Sequence, residues 1–154
     1  MIVTWSRGNA DDNMPEGILT DLAGLICRHP WWQARARMAV DLLGRLNVRP
    51  PARILDAGCG WGVNLAKLEQ SGYRPVGLDI SRRALERLDG PDRELIEADL
   101  TQPLADHAGR YDAVLALDVI EHLDDDRAAV ARLDRKSTRL NSSHIQKSRM
   151  PSSA

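Results

Sequence analysis

The sequence predicts an α/β protein built on a parallel sheet with helices along its faces. Three observations carry that prediction. Short apolar runs alternate with amphipathic segments in the order strand, helix, strand, helix, strand, loop, strand, helix. The first strand, ending Ile54-Leu55-Asp56, opens onto a turn with glycine at every second position: Gly58, Gly60 and Gly62. An acid falls at or just beyond the end of each of the four strands: Asp56, Asp79, Asp99 and Asp118. Right-handed crossovers put the ligand crevice of such a sheet at the carboxyl ends of its strands, so the four acids share one rim.

The elements follow in order. Met1 to Glu16 is polar and reads as a loose leader. Leu19, Leu22, Leu25 and Ile26 recur at helical spacing. A second amphipathic segment runs from Trp31 to Leu46, with Met38, Val40, Leu42, Leu43 and Leu46 apolar, and Pro50-Pro51 stops it. Residues 1–50 are therefore a leader and helical extension, and residues 51–133 the sheet domain. That domain begins with a strand over Ala52–Asp56, the glycine turn, and a helix from Val63 to Gln70 closed by Ser71-Gly72. Val76 to Asp79 is the second strand, and Ser81 caps a helix reaching Leu88. Glu94 to Ala98 is a third strand, Thr101 to Arg110 a loop or short helix, and Asp112 to Leu117 a fourth strand. A last helix starts at Asp124, with Ala128, Val130 and Leu133 as its apolar positions.

The chain has 154 residues, enough for one domain with a real core. No apolar run approaches the ~20 residues of a membrane helix. Met1 to Asn13 lacks a basic-then-apolar signal pattern, so a cytoplasmic protein is expected. Cys27 and Cys59 read as thiols. For Cys59 the choice is between a small residue filling a tight turn and a redox role. No metal ligands are assigned.

The glycine turn brings a ligand close to the backbone, and the amides at the start of the next helix can face a carboxylate or phosphate. Dinucleotide enzymes use Gly-x-Gly-x-x-Gly; here Val63 stands where the third glycine is needed. Asp56, just before the turn, repels a pyrophosphate and suits an ammonium group. The amino-acid end of S-adenosylmethionine meets that need. Asp79 lies where a carboxylate accepts from ribose hydroxyls, a feature both ligand classes share. Asp99 can accept from the adenine amine.

Asp56-Ala-Gly-Cys-Gly-Trp-Gly62, Gly77-Leu-Asp-Ile-Ser81, Glu97-Ala-Asp-Leu100 and Tyr111-Asp-Ala-Val-Leu-Ala-Leu-Asp-Val-Ile-Glu-His122 resemble, in order and spacing, the motifs of class I S-adenosylmethionine-dependent methyltransferases of the bacterial small-molecule type. His29-Pro-Trp-Trp-Gln-Ala-Arg35 resembles an element that precedes the core in many members, with Pro30 as an insertion. The resemblance implies a Rossmann-like sheet of seven strands ordered 3-2-1-4-5-7-6, of which this chain supplies four. It implies that Asp56 and the backbone of Gly58, Cys59 and Gly60 hold the methionine end. Asp79 would bind ribose, Ile80 and Leu100 would flank adenine, and Asp99 would bind its amine. The backbone near Leu117 and Asp118 would close on the sulfonium. Trp31, Trp32 and Arg35 would form a lid or pack at the sheet edge. His122 is the candidate general base, beside Glu121, or a residue that packs in its loop.

The implied reaction is methyl transfer to a small-molecule acceptor. A nicotinamide-dependent oxidoreductase and a non-catalytic module binding S-adenosylmethionine are the alternatives. Nucleic acid is not an expected partner, because no Asn-Pro-Pro-aromatic element follows the fourth strand.

Composition changes near Asp134. Six of nine serines lie between Ser137 and Ser153. Asp134-Arg-Lys-Ser-Thr-Arg-Leu-Asn-Ser-Ser-His144 and Ser148-Arg-Met-Pro-Ser-Ser-Ala154 resemble the translated fixed blocks of a short-read sequencing adapter. On that reading residues 134–154 are an artefactual, disordered tail and the natural frame is cut near Leu133. The part before Asp134 carries a net charge of -5, which disfavours non-specific binding to phosphate backbones. A sheet cut after its fourth strand exposes an apolar edge. The 154-residue product is accordingly expected to be marginally stable or poorly soluble, and inactive.

Overall fold

The computed structural model describes residues 1–8, 16–104 and 110–136. Residues 137–154, most of the tail singled out above, and residues 105–109 of the loop before the fourth predicted strand lie outside that range. Five strands form one parallel sheet: β1 (Ile2–Thr4), β2 (Arg53–Ala57), β3 (Arg74–Asp79), β4 (Glu94–Glu97) and β5 (Ala113–Leu115). Their order is β1-β4-β3-β2-β5. The last four follow the expected 3-2-1-4 arrangement. The fifth strand is a correction, because the leader begins as β1, paired in parallel with β4 from Ile2↔Leu95 to Thr4↔Glu97.

Three local devices fix this edge. The Met1 ammonium sits 2.9 Å from an Asp89 carboxylate oxygen. Thr4 Oγ1 donates to Glu97 at 2.7 Å, and Arg82 reaches the same carboxylate at 3.2 Å. Glu97 is thus buried with its charge balanced.

Side chains alternate across a strand, so β2 sorts its residues between two faces. Leu55 and Ala57 join Val76, Leu78, Ile96 and Leu133 on one face, covered by α5 (Asp126–Asp134). Ile54 joins Ala39, Leu43 and Leu68 on the other, under α2 (Pro30–Arg45) and α3 (Val63–Gln70). Asp56 shares the parity of Ile54 and therefore faces α2 and α3. Leu85 of α4 (Arg82–Leu88) packs with Cys59, Leu65 and Leu95 on that same side. Ile54, Leu55, Leu78 and Leu85 are fully buried, each worth roughly 1.5–3 kcal/mol of apolar burial.

The helices obey their sequence signals at their ends more than on their faces. His29 Nδ1 accepts from the Trp31 amide and Pro30 takes the first helical position, so α2 starts where Pro is best tolerated. Ser81 Oγ caps α4 through the Ala84 amide at 3.0 Å. Asp125 caps α5 through Ala128. The face of α2 differs from expectation. Ala36, Ala39 and Leu43 are buried, while Met38, Leu42 and Leu46 are exposed. Small alanines let α2 lie close on α3, which leaves the larger apolar residues outward. Likewise α1 (Glu16–Arg28) buries Ala23 and exposes Leu22 and Leu25, and α5 buries Ala129 and Leu133 but not Val130. Among the described residues no helix is long and apolar enough to cross a membrane.

Candidate functional site

The site begins where β2 runs into the glycine turn. Gly58, Gly60 and Gly62 all have positive φ, at 79°, 49° and 78°. At Gly58 a Cβ would stand 2.8 Å from Val119 Cβ, so the absence of a side chain lets the segment after β5 close over the turn. At Gly60 a Cβ would meet nothing within 4 Å, so that corner of the turn faces open space.

Four amides of the turn already have partners within the protein. The Gly58 and Cys59 N–H groups both donate to the Leu78 carbonyl, at 2.7 and 3.0 Å. The Gly60 N–H donates to Asp79 Oδ2 at 2.7 Å, and the Gly62 N–H to the Cys59 carbonyl. The turn is bound to the end of β3 by its own donors. Cys59 is buried beside Asp79 and Asp56; desolvation, then those two charges, push its thiol well above the ordinary value. Its Sγ would lie 3.0 Å from a Cβ on Gly77. This is a space-filling thiol, not a thiolate.

Asp56 is 1% exposed. Its Oδ1 accepts from Asn64 Nδ2 at 3.3 Å; its Oδ2 has no partner among the described residues, nor has Asn64 Oδ1. Burial raises the Asp56 carboxyl to about 7; Asn64 and the charge of Arg35 oppose the rise and Asp79 adds to it. Asn64 was not foreseen. A buried amide on the same helix as Leu65 and Leu68 was the signal that could have shown it.

Arg35 reaches into this corner from α2. Its guanidinium stacks 4.4 Å from the Trp32 ring centroid and pairs with Asp118. Asp118 holds φ 53°, a left-handed conformation that aims it back across the rim. Burial lowers the Arg35 pKa, and the charges of Asp56 and Glu121 counter that. Arg35 Nε is buried without an acceptor among the described residues. Of the three residues proposed as lid or edge packing, Arg35 and Trp32 meet at the rim, whereas Trp31 is 64% exposed.

The acids farther along are already bonded. Asp79 accepts from Gly60 N–H and, through Oδ1 at 2.9 Å, from Ser81 N–H. Asp99 Oδ1 accepts from the amide and hydroxyl of Thr101, at 2.8 and 2.7 Å. Ile80 is half-buried. Leu100 is buried in the sheet core beside Leu133. His122 lies at the end of a short 3₁₀ helix, Ile120–His122, and is exposed, as is Glu121. No cluster of three or more metal-ligating side chains occurs among the described residues. A shallow cavity does exist at the opposite ends of the strands, lined by Met1, Trp5, Arg53, Glu94 and Tyr111. Its Arg53 is already paired with Glu94, and none of the rim acids lines it.

The parallel sheet, the glycine turn at the first central strand and one acid at each successive strand end define a nucleoside-binding α/β domain. The chain belongs to the methyltransferase domain family, whose pattern matches residues 31–138. It is 28% identical over 118 residues to the ubiquinone biosynthesis O-methyltransferase of Aromatoleum aromaticum, covering 67% of this chain and 50% of that protein. The protein of the same name from Bordetella avium is 30% identical over 149 residues, covering 84% and 60%. The magnesium protoporphyrin IX methyltransferase of Synechocystis, solved with bound SAM, shares the fold. Its TM-score is 0.59 at 22% identity, covering 87% of this chain and 76% of that one. The chain thus spans half to three-fifths of the length of these two curated relatives.

Proposed function

We propose that this chain is the cofactor-binding half of an S-adenosylmethionine-dependent methyltransferase acting on a small-molecule hydroxyl. One observation carries the reading. Among the described residues two charged side chains at the rim carry buried atoms without complements: Asp56 Oδ2, an acceptor with no donor, and Arg35 Nε, a donor with no acceptor. An α-amino acid end supplies both, an ammonium for the carboxylate and a carboxylate for the guanidinium. The N–H groups of Gly58, Cys59, Gly60 and Gly62 are bonded within the protein, and carbonyl oxygens of the turn can accept from an ammonium. The acid just before the turn, Asp56, disfavours a pyrophosphate by like charge, and with it a nicotinamide dinucleotide.

The remaining residues follow the cofactor's length. Asp79 takes the ribose hydroxyls while keeping the turn in place, and Ile80, Asp99 and Leu100 take the base. When bound, the cofactor supplies a methyl group on a sulfonium, open to in-line attack. The protein's part is alignment and exclusion of water. Arg35, tied to Asp118, fixes the amino-acid end, and the segment after β5 closes over Gly58. His122 is exposed beside this closure and is the candidate to take the acceptor's proton. The acceptor class rests on the curated relatives, both O-methyltransferases by name. A cytoplasmic location, and an origin of residues 134–154 outside the natural frame, belong to the same proposal.

The test is calorimetry on the 154-residue chain with S-adenosylhomocysteine and NAD in parallel. The expected result is binding of the first alone. An ammonium beside Asp56 favours its ionised form, so binding at pH 7 should release roughly half a proton, read as a dependence of the heat on the buffer. Binding of NAD, or no proton release, overturns the assignment of Asp56.

A further inference from the structure

The N-terminal segment does more than add a strand. Beyond β1 it continues across the rim over β4. The Trp5 amide donates to the Glu97 carbonyl at 2.9 Å. The Asp99 amide donates to Ser6 Oγ at 2.9 Å, and Ser6 Oγ lies 3.4 Å from the Asp99 carbonyl. The Trp5 ring packs against the core face that holds Leu100 and Leu133, with Lys136 Nζ 6.0 Å from its centroid.

Gly8 then lies directly on the two groups assigned to adenine. A Cβ at Gly8 would come within 2.6 Å of Ile80 Cδ1 and 2.7 Å of Asp99 Oδ2. The glycine backbone is therefore in van der Waals contact with both, and no aromatic base fits between them. The choice of oxygen is telling. Asp99 Oδ1 is occupied by Thr101, so Oδ2 is the oxygen left for an exocyclic amine. It is the one Gly8 covers.

We propose that Ser6–Gly8 is a strap seated in the adenine compartment, anchored at Trp5, which must swing out before the base enters. The proposal rests on the cofactor reading above. Its consequence is quantitative: a strap that is seated most of the time lowers apparent affinity by the fraction of chains that are open. It also lets the adenine end, and not the methionine end, set that fraction. Ser6 is the latch, because its hydroxyl bridges to the main chain of Asp99. Gly8 is the fit, because any side chain there crowds the seat.

The test measures affinity for S-adenosylhomocysteine, and for adenosine alone, by calorimetry on the full chain and two variants. Ser6→Ala removes the latch without adding bulk. Gly8→Val makes the closed seat too crowded while leaving the open state untouched. Affinity for both ligands should rise in each variant, by roughly threefold to tenfold for Ser6→Ala, the worth of a neutral hydrogen bond. Hydrogen exchange at the Asp99 amide, whose acceptor leaves with the strap, should quicken on ligand binding. A fall in affinity in either variant overturns the proposal, since it makes the segment a wall of the compartment. So does an unchanged affinity in both, with melting points confirming that the variants fold. If the variants bind and the parent does not, the strap is upheld. If no form binds S-adenosylhomocysteine while all melt cooperatively, the cofactor reading itself fails and the strap with it.

Discussion

Asp56 and Asp79 end neighbouring strands on one rim, yet their surroundings are opposite. Asp79 has a donor on each oxygen: the Gly60 and Ser81 amides hold them at 2.7 and 2.9 Å. Among the described residues Asp56 has one long bond, to Asn64, and an oxygen with none, and burial drives its carboxyl to about 7. The difference separates two ways a carboxylate serves a ligand. Asp79 is part of the scaffold and offers its remaining lone pairs to a visitor. Asp56 is a cost to the folded chain that a cationic visitor removes.

The sharpest way to break that contrast is Asp79→Ala. It removes the proposed ribose acceptor and releases the Gly60 amide of the glycine turn at once. Affinity for S-adenosylhomocysteine should fall by roughly 100-fold or more, the worth of charge-assisted bonds lost together. Calorimetry showing unchanged affinity would leave Asp79 as a structural acid only.

Next in size is the pH dependence of stability at Asp56. Its folded pKa lies above its unfolded one, so the folded state binds more protons between them. Stability from this group is whole near pH 4 and declines as pH rises through 7. Asp56→Asn abolishes the decline. Thermal melts should show the variant gaining on its parent between pH 5 and pH 8, on the order of 2 kcal/mol. Parallel curves would mean that Asp56 is solvated. Charged groups near Asp56 shape the same profile: Arg35 from α2 works against the rise and Asp79 from β3 with it.

The smallest effect refines the contrast. Asn64→Leu removes the one donor that Asp56 has among the described residues. The midpoint of the stability profile should move up by about half a unit to one unit, while affinity for adenosine stays as it was. A midpoint that stays put would show that Asn64 merely fills space.

Much of this was legible in the chain, for identifiable reasons. Four acids at or near four strand ends and the Ser81 cap follow from local pattern, which local chemistry enforces, whereas the order β4-β3-β2-β5 was implied by the family resemblance. What stayed hidden depends on tertiary placement. β1 is only Ile2–Thr4, too short to stand out from a polar leader, and it exists because β4 offers an edge. The exposed Met38 and Leu42 carried the amphipathic signal of α2, but Ala36 and Ala39 won the buried face because they permit closer packing. The bonding of the Gly58, Cys59 and Gly60 amides could not be read either, since their acceptors, Leu78 and Asp79, lie on β3. Nor could Gly8 be linked to Asp99, ninety-one positions away, without the fold that brings them together.

The two-sided sorting of β2 makes the count of residues decisive. One residue inserted between Pro51 and Asp56 would leave composition and hydropathy almost untouched. It would turn the carboxylate away from Asn64 and Arg35 toward the apolar layer shared by Leu55 and Leu133. An odd step in length would thus erase the ammonium grip while the alphabet of the motif survived, and a step of two would restore it.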